Sequence, residues 1–317
     1  MARVLVSEPE GYSARALETY LTIGEVRAER LEGQSFCDAL ADCEVLVVRL
    51  RKVTADDLAA APNLKIIASP TTGLDHIDLA AAEQRGVRVV SLRGERGFLD
   101  KIYATSELTV GLMLSLLRHI PAAHRHVLAG GWDRQRFIGG EISGRTVGII
   151  GCGRLGTRVA EIVHAMGATV VASDKAEGPS QPPPPFVRML PLDALLQQAD
   201  IISVHVAFTP STEGLIGREH FTRIKPGALL VNTARGRIVD EEALMAALAS
   251  GALAGAALDV LTDEDGDGRH LKGNPLVAYA TAHDNLILTP HIGGATRESM
   301  GVTEDFIAAK VVETLRT

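Results

Sequence analysis

The chain has 317 residues, 46% hydrophobic and 22% charged, and its 32 Lys and Arg against 39 Asp and Glu give a formal net charge of −7. That length can bury two separate cores, and an acidic balance with no basic cluster excludes the electrostatic footprint of a nucleic-acid-binding protein. Cys37, Cys43 and Cys152 are too few and too scattered for a disulfide framework or a metal site, so they read as small buried residues and no metal is expected.

Strand-like apolar runs come first at 3–7, 45–49, 64–69 and 87–92, with helical stretches such as 55–61 and 79–85 between them. Strands alternating with helices are the pattern of a parallel sheet. Thr105 or Ser106 then caps a long apolar helix running towards Leu117, with Glu107 in its favourable first turn. No apolar run reaches the length of a membrane span, and the N-terminus passes straight into a strand. A soluble cytoplasmic protein without a membrane partner is therefore expected.

The next segment runs Thr146-Val-Gly-Ile-Ile-Gly151-Cys-Gly153-Arg-Leu-Gly156, then a helical pattern over 157–166, then Thr169-Val-Val-Ala-Ser-Asp174. An apolar strand enters G-x-G-x-x-G, the loop opens a helix, and a second strand ends in an acid 18 residues after Gly156. That is the dinucleotide fingerprint in its full context. Gly151 allows the tight turn, Gly153 lets the backbone approach a pyrophosphate, and Gly156 lets helix and strand pack closely. The free N–H groups and dipole of the helix start favour the anion. Asp174 suits the ribose hydroxyls and repels a 2′-phosphate, so NAD is favoured over NADP, with Lys175 beside it as the one opposing signal.

The run Pro182–Pro185 reads as a stiff surface loop. Strand-like runs follow at 201–206, 228–233, 255–260 and 286–289, and a last helix spans about 298–315. Three of these strands lead into Asn232-Thr-Ala-Arg235-Gly236, Asp259-Val-Leu-Thr-Asp-Glu264 and Thr289-Pro-His291-Ile-Gly-Gly294. An arginine, a glutamate and a histidine would emerge at one edge of one sheet, where open α/β sheets place their chemistry. A guanidinium can grip a carboxylate with two parallel hydrogen bonds. A histidine can exchange one proton near neutral pH, and a glutamate beside it would fix its orientation and favour its charged form. Glu264 is flanked by Asp263 and Asp265, so a solvated acidic turn competes with the catalytic reading there.

These motifs, in this order and nearly end to end from Val45-Leu-Val-Val-Arg49 through Thr72-Gly-Leu-Asp-His-Ile-Asp78, resemble the D-isomer-specific 2-hydroxyacid dehydrogenases. The resemblance implies NAD-dependent hydride exchange between a D-2-hydroxy acid and its 2-oxo acid. It aligns Arg235 with the carboxylate-binding arginine, Glu264 with the glutamate partner and His291 with the proton donor or acceptor. It aligns Asp259 with a residue near the nicotinamide carboxamide and Arg154 and Leu155 with positions at the pyrophosphate. His205, Val206, Thr233, Ala234 and Gly293 fall on cofactor-lining stretches, and the Thr72-Gly73 backbone on the loop that holds the substrate carboxylate. Arg49 matches an arginine near the substrate in many members, although an exposed strand-end arginine reads equally as a surface charge.

The fold implied is α/β with two doubly wound parallel-sheet domains. A Rossmann-type NAD domain at 103–291 is inserted into a flavodoxin-like substrate domain made of 1–102 and 292–317. A homodimer through the long helix and the Gly130-Gly-Trp132 stretch is also implied. Some relatives of this fold are NAD-sensing corepressor scaffolds that keep the same three residues, so a binding protein is the alternative to an enzyme. Two departures bear on the substrate. Asp265 stands where proline usually follows the glutamate, and the stretch from Ser91 to Tyr103 is longer than in phosphoglycerate-type members. That stretch is expected to form a loop facing the substrate cleft. Its Arg93, Arg96 and Lys101 could bind a distal anion, though a solvated loop is the preferred reading.

Overall fold

A computed structural model describes residues 1–175, 178, 181–264 and 268–316. The chain runs β1 (Ala2–Val6), α1 (Ala14–Leu21), β2 (Gly24–Ala28), α2 (Gly33–Asp42), β3 (Val45–Val47), α3 (Ala55–Ala59) and β4 (Ile66–Ser69). It continues through α4 (Leu79–Gln84), β5 (Arg88–Ser91), α5 (Arg96–Leu99), α6 (Ala104–Leu117), α7 (Ile120–Leu128), β6 (Thr146–Ile150) and α8 (Arg154–Ala165). Then come β7 (Thr169–Ser173), β8 (Arg188–Met189), α9 (Leu192–Gln198), β9 (Ile201–Val204), α10 (Arg218–Phe221) and β10 (Leu229–Asn232). The last elements are α11 (Glu241–Ser250), β11 (Gly255–Leu258), α12 (Pro275–Ala282), β12 (Leu286–Leu288) and α13 (Arg297–Arg316). Two compact units result, one from residues 1–102 with the chain from Ala295 onward, the other from 103–264 with 268–294.

In the first unit five parallel strands lie in the order β2-β1-β3-β4-β5, the flavodoxin-like winding. Val45, Leu46 and Val47 are all buried, as a strand covered on both faces requires. Leu5, Leu46 and Ile67 pack with Leu40 and Leu58 on one face. Val4, Val6 and Ile66 pack with Tyr20, Ile307 and Val311 on the other. The edge strand β2 has no counterpart among the predicted runs, because Gly24-Glu-Val-Arg-Ala28 is half exposed and carries charge on alternate residues. β8, two exposed residues at the edge of the other sheet, escapes sequence reading for the same reason.

The stretch after β5 differs from expectation. It forms the short helix α5 and belongs to the first unit's own core. Leu92 and Leu99 are buried, Phe98 stacks on Phe306 of α13 at 4.1 Å, and Lys310 of the same helix pairs with Glu95. Apolar residues at 92, 98 and 99 seat this segment against a helix more than 200 residues away in sequence, a partner no local pattern shows.

The second unit is a seven-stranded parallel sheet in the order β12-β11-β10-β9-β6-β7-β8. Chain order reverses between β6 and β9, a switch point that opens a crevice beyond the carboxyl ends of those strands. Val147, Ile149, Val159, Val163 and Ile201 form the core on the side of α6 and α8, while Leu195, Leu230, Leu244 and Leu258 form the other. The cap expected for α6 is not made by Thr105 or Ser106. The helix starts at Ala104 with Tyr103 in the cap position, two residues before Thr105, and Ser106 Oγ donates to the Tyr103 carbonyl at 2.9 Å instead of accepting an amide. Residues 292–294 remain with this unit because the Gly293 amide is bonded to Asp259 Oδ2 at 2.7 Å. Among the described residues no helix is long and apolar enough to cross a membrane.

Candidate active site

At the switch point the glycine loop is fixed by close approach. Gly151 sits at φ +94°, and a Cβ there would lie 2.7 Å from the Val206 amide nitrogen. His205 N–H donates to the Ile150 carbonyl at 2.7 Å, so the ends of β6 and β9 meet at this glycine. A Cβ on Gly156 would lie 2.0 Å from the Gly151 carbonyl oxygen, which holds the first turn of α8 against the loop. Gly153 is different, because a Cβ there would meet nothing within 4 Å. The space above Gly153, at the N-terminus of a 12-residue helix that begins with Arg154 and Leu155, suits a pyrophosphate.

Asp174 follows β7 and accepts the Cys152 amide at 2.7 Å on Oδ2 and its neighbour Lys175's amide at 2.8 Å on Oδ1. A carboxylate has about four acceptor positions, so each oxygen keeps capacity for ribose hydroxyls. His205 Nε2 lies 2.8 Å from Ser203 Oγ, and burial pushes its imidazole down to about 4. It is neutral beside the loop. Thr233, at the end of β10, shares a buried hydrogen bond of 2.8 Å with Thr109 of α6, while the Ala234 amide is held by Asn232 Oδ1 at 3.0 Å. Thr109 is invisible to sequence reading because its partner is 124 residues away.

Arg235, Glu264 and His291 follow β10, β11 and β12, adjacent parallel strands of one sheet. All three are half-buried. His291 Nδ1 stands 2.8 Å from Glu264 Oε1, which leaves Nε2 as the ring atom for proton exchange. Arg235 Nη1 donates to the Ala234 carbonyl at 2.7 Å, and Asn232 Nδ2 donates to the Arg235 carbonyl at 2.9 Å. The arginine is thus anchored at its own backbone and by one guanidinium nitrogen.

Asp259 holds the histidine loop. Only 1% exposed, it accepts Thr289 Oγ1 at 2.6 Å and the Ile292 amide at 2.9 Å on Oδ1, and the Gly293 amide at 2.7 Å on Oδ2. Its carbonyl accepts the His291 amide at 2.9 Å. Burial raises its carboxyl above the usual range, against the pull of these donors. His291 itself has φ +52°, a left-handed conformation that costs a non-glycine residue about 1–3 kcal/mol and persists where surroundings over-determine it. The carboxylate aligned with a cofactor contact thus also fixes this loop, and its Oδ2 keeps acceptor capacity.

The substrate-side expectations fall in the first unit. Arg49 is turned inward. Nη1 and Nη2 lie 3.2 Å from the Glu10 carbonyl, Nε lies 3.1 Å from Glu304 Oε1, and the guanidinium covers the Tyr12 ring. The Nε–Oε1 contact does not have hydrogen-bond geometry, so the attraction is Coulombic. This internal linkage sets Arg49 apart from a free surface charge. Thr72 and Gly73 follow β4 in a turn where Thr71 Oγ1 donates to the Gly73 carbonyl at 2.8 Å. Cys43 is pushed up to about 12 by burial, and Cys152 is raised for the same reason. Among the described residues no group of three His, Cys, Asp or Glu side chains could hold a metal. Asp265, the departure after Glu264, lies outside the described residues.

The profile of the D-isomer specific 2-hydroxyacid dehydrogenase NAD binding domain matches residues 110–293. The chain belongs to this family. Its second unit is a 2-hydroxyacid dehydrogenase NAD-binding domain, and the glycine loop and all three strand-end residues lie within the matched span. A D-3-phosphoglycerate dehydrogenase of Rattus norvegicus is 36% identical over 317 residues, covering 100% of this chain and 57% of that relative. The chain therefore spans little more than half of the relative's length. A crystal structure of a Thermus thermophilus protein matches with a TM-score of 0.84 at 32% identity, covering 99% of this chain and 97% of the other. A D-lactate dehydrogenase of Aquifex aeolicus, complexed with NAD and lactic acid, matches with a TM-score of 0.83 at 26% identity, covering 99% and 95%.

Proposed function

We propose that the protein is an NAD-dependent oxidoreductase interconverting a D-2-hydroxy acid and its 2-oxo acid. The observation that carries the reading is the 2.8 Å contact of His291 Nδ1 with Glu264 Oε1, on the same sheet edge as Arg235 and the glycine loop. It is supported by family membership and by the relatives named above. A surface histidine needs no carboxylate on one nitrogen, an arginine two strands away on the same sheet edge and a dinucleotide loop in the same domain.

Gly151, Gly153, Arg154, Leu155 and Gly156 would hold the pyrophosphate, and Asp174 the adenosine ribose. His205, Val206, Thr233, Ala234 and Gly293 would line the rest of the cofactor. Bound there, NADH would supply a hydride to the substrate's second carbon, and NAD would accept one in the reverse direction. Arg235 grips the carboxylate of the 2-oxo acid and draws charge towards its carbonyl oxygen. His291 delivers a proton to that oxygen from Nε2 and takes it back in the reverse direction. Glu264 keeps the ring oriented with Nε2 outward and offsets the positive charge of the imidazolium. The Thr72–Gly73 backbone, in the first unit, is assigned to substrate binding. The first unit is accordingly the substrate domain.

The decisive experiment is a panel of 2-oxo acids of varied side group, each tested with NADH and NADPH. Turnover with NADH on at least one member is expected. NADH binding with no turnover anywhere on the panel would replace the enzymatic reading with that of a nucleotide-sensing scaffold, and a preference for NADPH would overturn the role given to Asp174.

A further inference from the structure

The chain between Arg235 and the first turn of α11 grips the segment Leu261–Asp263 at three points. First, a Cβ on Gly236 would lie 2.1 Å from the Leu261 carbonyl carbon and 2.4 Å from the Thr262 nitrogen. The two backbones are in direct contact there, and only glycine permits it. Second, Glu241 Oε1 accepts the Thr262 N–H at 2.5 Å in a half-buried setting. Third, Arg237 pairs with Asp263. Immediately beyond these contacts stands Glu264, facing His291.

The segment needs holding. Asp263 has φ +57°, a left-handed conformation that is uncommon outside glycine, and it is the last residue before the glutamate. The three contacts are unequal. Arg237 and Asp263 are 49% and 63% exposed, and ion pairs at such exposure contribute little. A carboxylate on a half-buried backbone amide is a charge-assisted hydrogen bond with a short, directed geometry. Glu241 is itself fixed, because it opens a helix whose preceding residue, Asp240, caps the Ala243 amide at 3.0 Å. The load falls on Glu241.

We infer that Glu241 is a positioning residue which sets the angle at which Glu264 meets the His291 ring, and that through Gly236 the same brace ties Glu264 to the carboxylate grip of Arg235. The inference rests on the proposed function above for the roles of those three residues.

The test uses the full chain with NADH bound and compares Glu241→Ala, Glu241→Gln and Glu264→Gln. The titration midpoint of the His291 ring is followed by NMR. Glu241→Ala should move that midpoint towards the value in Glu264→Gln, and Glu241→Gln, whose amide oxygen still accepts the Thr262 N–H, should restore it. With the 2-oxo acid turned over fastest in the panel, Glu241→Ala should lower kcat by about ten- to a hundredfold, the scale of a 1 Å misplacement. Its KM for NADH should stay within about twofold. The double variant with Glu264→Gln should be no worse than Glu264→Gln alone. A His291 midpoint unchanged in Glu241→Ala, or losses that add in the double variant, overturns the inference and leaves Glu241 a purely structural residue. If Glu264→Gln turns over like the wild type, the catalytic role of Glu264 falls instead, while the NMR midpoint still decides what Glu241 does.

Discussion

At the scale of single residues, the site is built by carboxylates doing different work in different surroundings. Glu264 faces a ring, Asp174 faces two backbone amides, and Asp259 is committed to the loop that presents His291. Removing the proton carrier has a defined expectation. His291→Ala should cut turnover by about 10²–10⁴-fold, the usual contribution of a positioned acid or base. NADH affinity, read by fluorescence titration, should stay within a few-fold of the wild type. Unchanged turnover would remove His291 from the mechanism. A fourth carboxylate, Glu304, is 1% exposed and accepts the Ser13 amide at 2.6 Å beside Arg49. Burial raises it above its ordinary value, against the pull of Ser13 and Arg49. A raised carboxyl stabilises the fold below its unfolded value and loses that contribution as pH rises through the folded one. Glu304→Gln cannot titrate. The Tm of the variant minus that of the wild type should therefore rise from about pH 4 to pH 7, whatever constant cost the lost charge imposes. A difference that falls would mean that Arg49 outweighs burial.

At the scale of elements, the strand–loop–helix unit over 146–165 separates folding from binding within six residues. Gly156→Ala pushes a methyl group into the Gly151 carbonyl and should destabilise the second unit by about 1–3 kcal/mol or more, seen as a fall in Tm. Gly153→Ala meets no protein atom and has an ordinary backbone conformation. It should keep the wild-type Tm and lose NADH affinity by tenfold or more, because the methyl enters the space assigned to the phosphates. Equal Tm losses in both variants would contradict this division.

This unit is the most legible part of the sequence, since strand, glycine spacing and terminal acid are all local. The buried parallel strands are legible too, each within a residue or two, because continuous apolar runs bounded by polar turns carry their own signal. Harder to read are features fixed by a distant partner. β2 and β8 are exposed edges, α5 is seated by α13, and Thr109, Glu241 and the inward turn of Arg49 depend on contacts 20 or more residues away. The types and order of the triad are readable. That Asp259 also sets the loop conformation of His291 is not readable, because its position at a strand end shows nothing of where its oxygens point.

At the scale of the molecule, α7 and the segment after it leave large apolar side chains in solvent. Leu128 is 74% exposed, Trp132 90% and Ile138 72%. Large apolar side chains in solvent mark interaction surfaces, and the homodimer that the family resemblance implies would place a second copy of the chain there. Leu128→Asp with Trp132→Asp should convert a dimer to a monomer in sedimentation velocity at micromolar concentration, with the far-ultraviolet circular dichroism unchanged. A wild type that sediments as a monomer would refute the assignment.

The three thiols are graded in a way that has a practical use. Cys43 is buried and pushed up to about 12, and Cys152, inside the cofactor loop, is buried and raised as well. Neither offers much thiolate at neutral pH, and thiolate is what an alkylating reagent attacks. Cys37 is partly exposed on α2. A single maleimide fluorophore should therefore attach to Cys37 in the first unit alone, without any cysteine being engineered away, while the nucleotide loop stays chemically untouched.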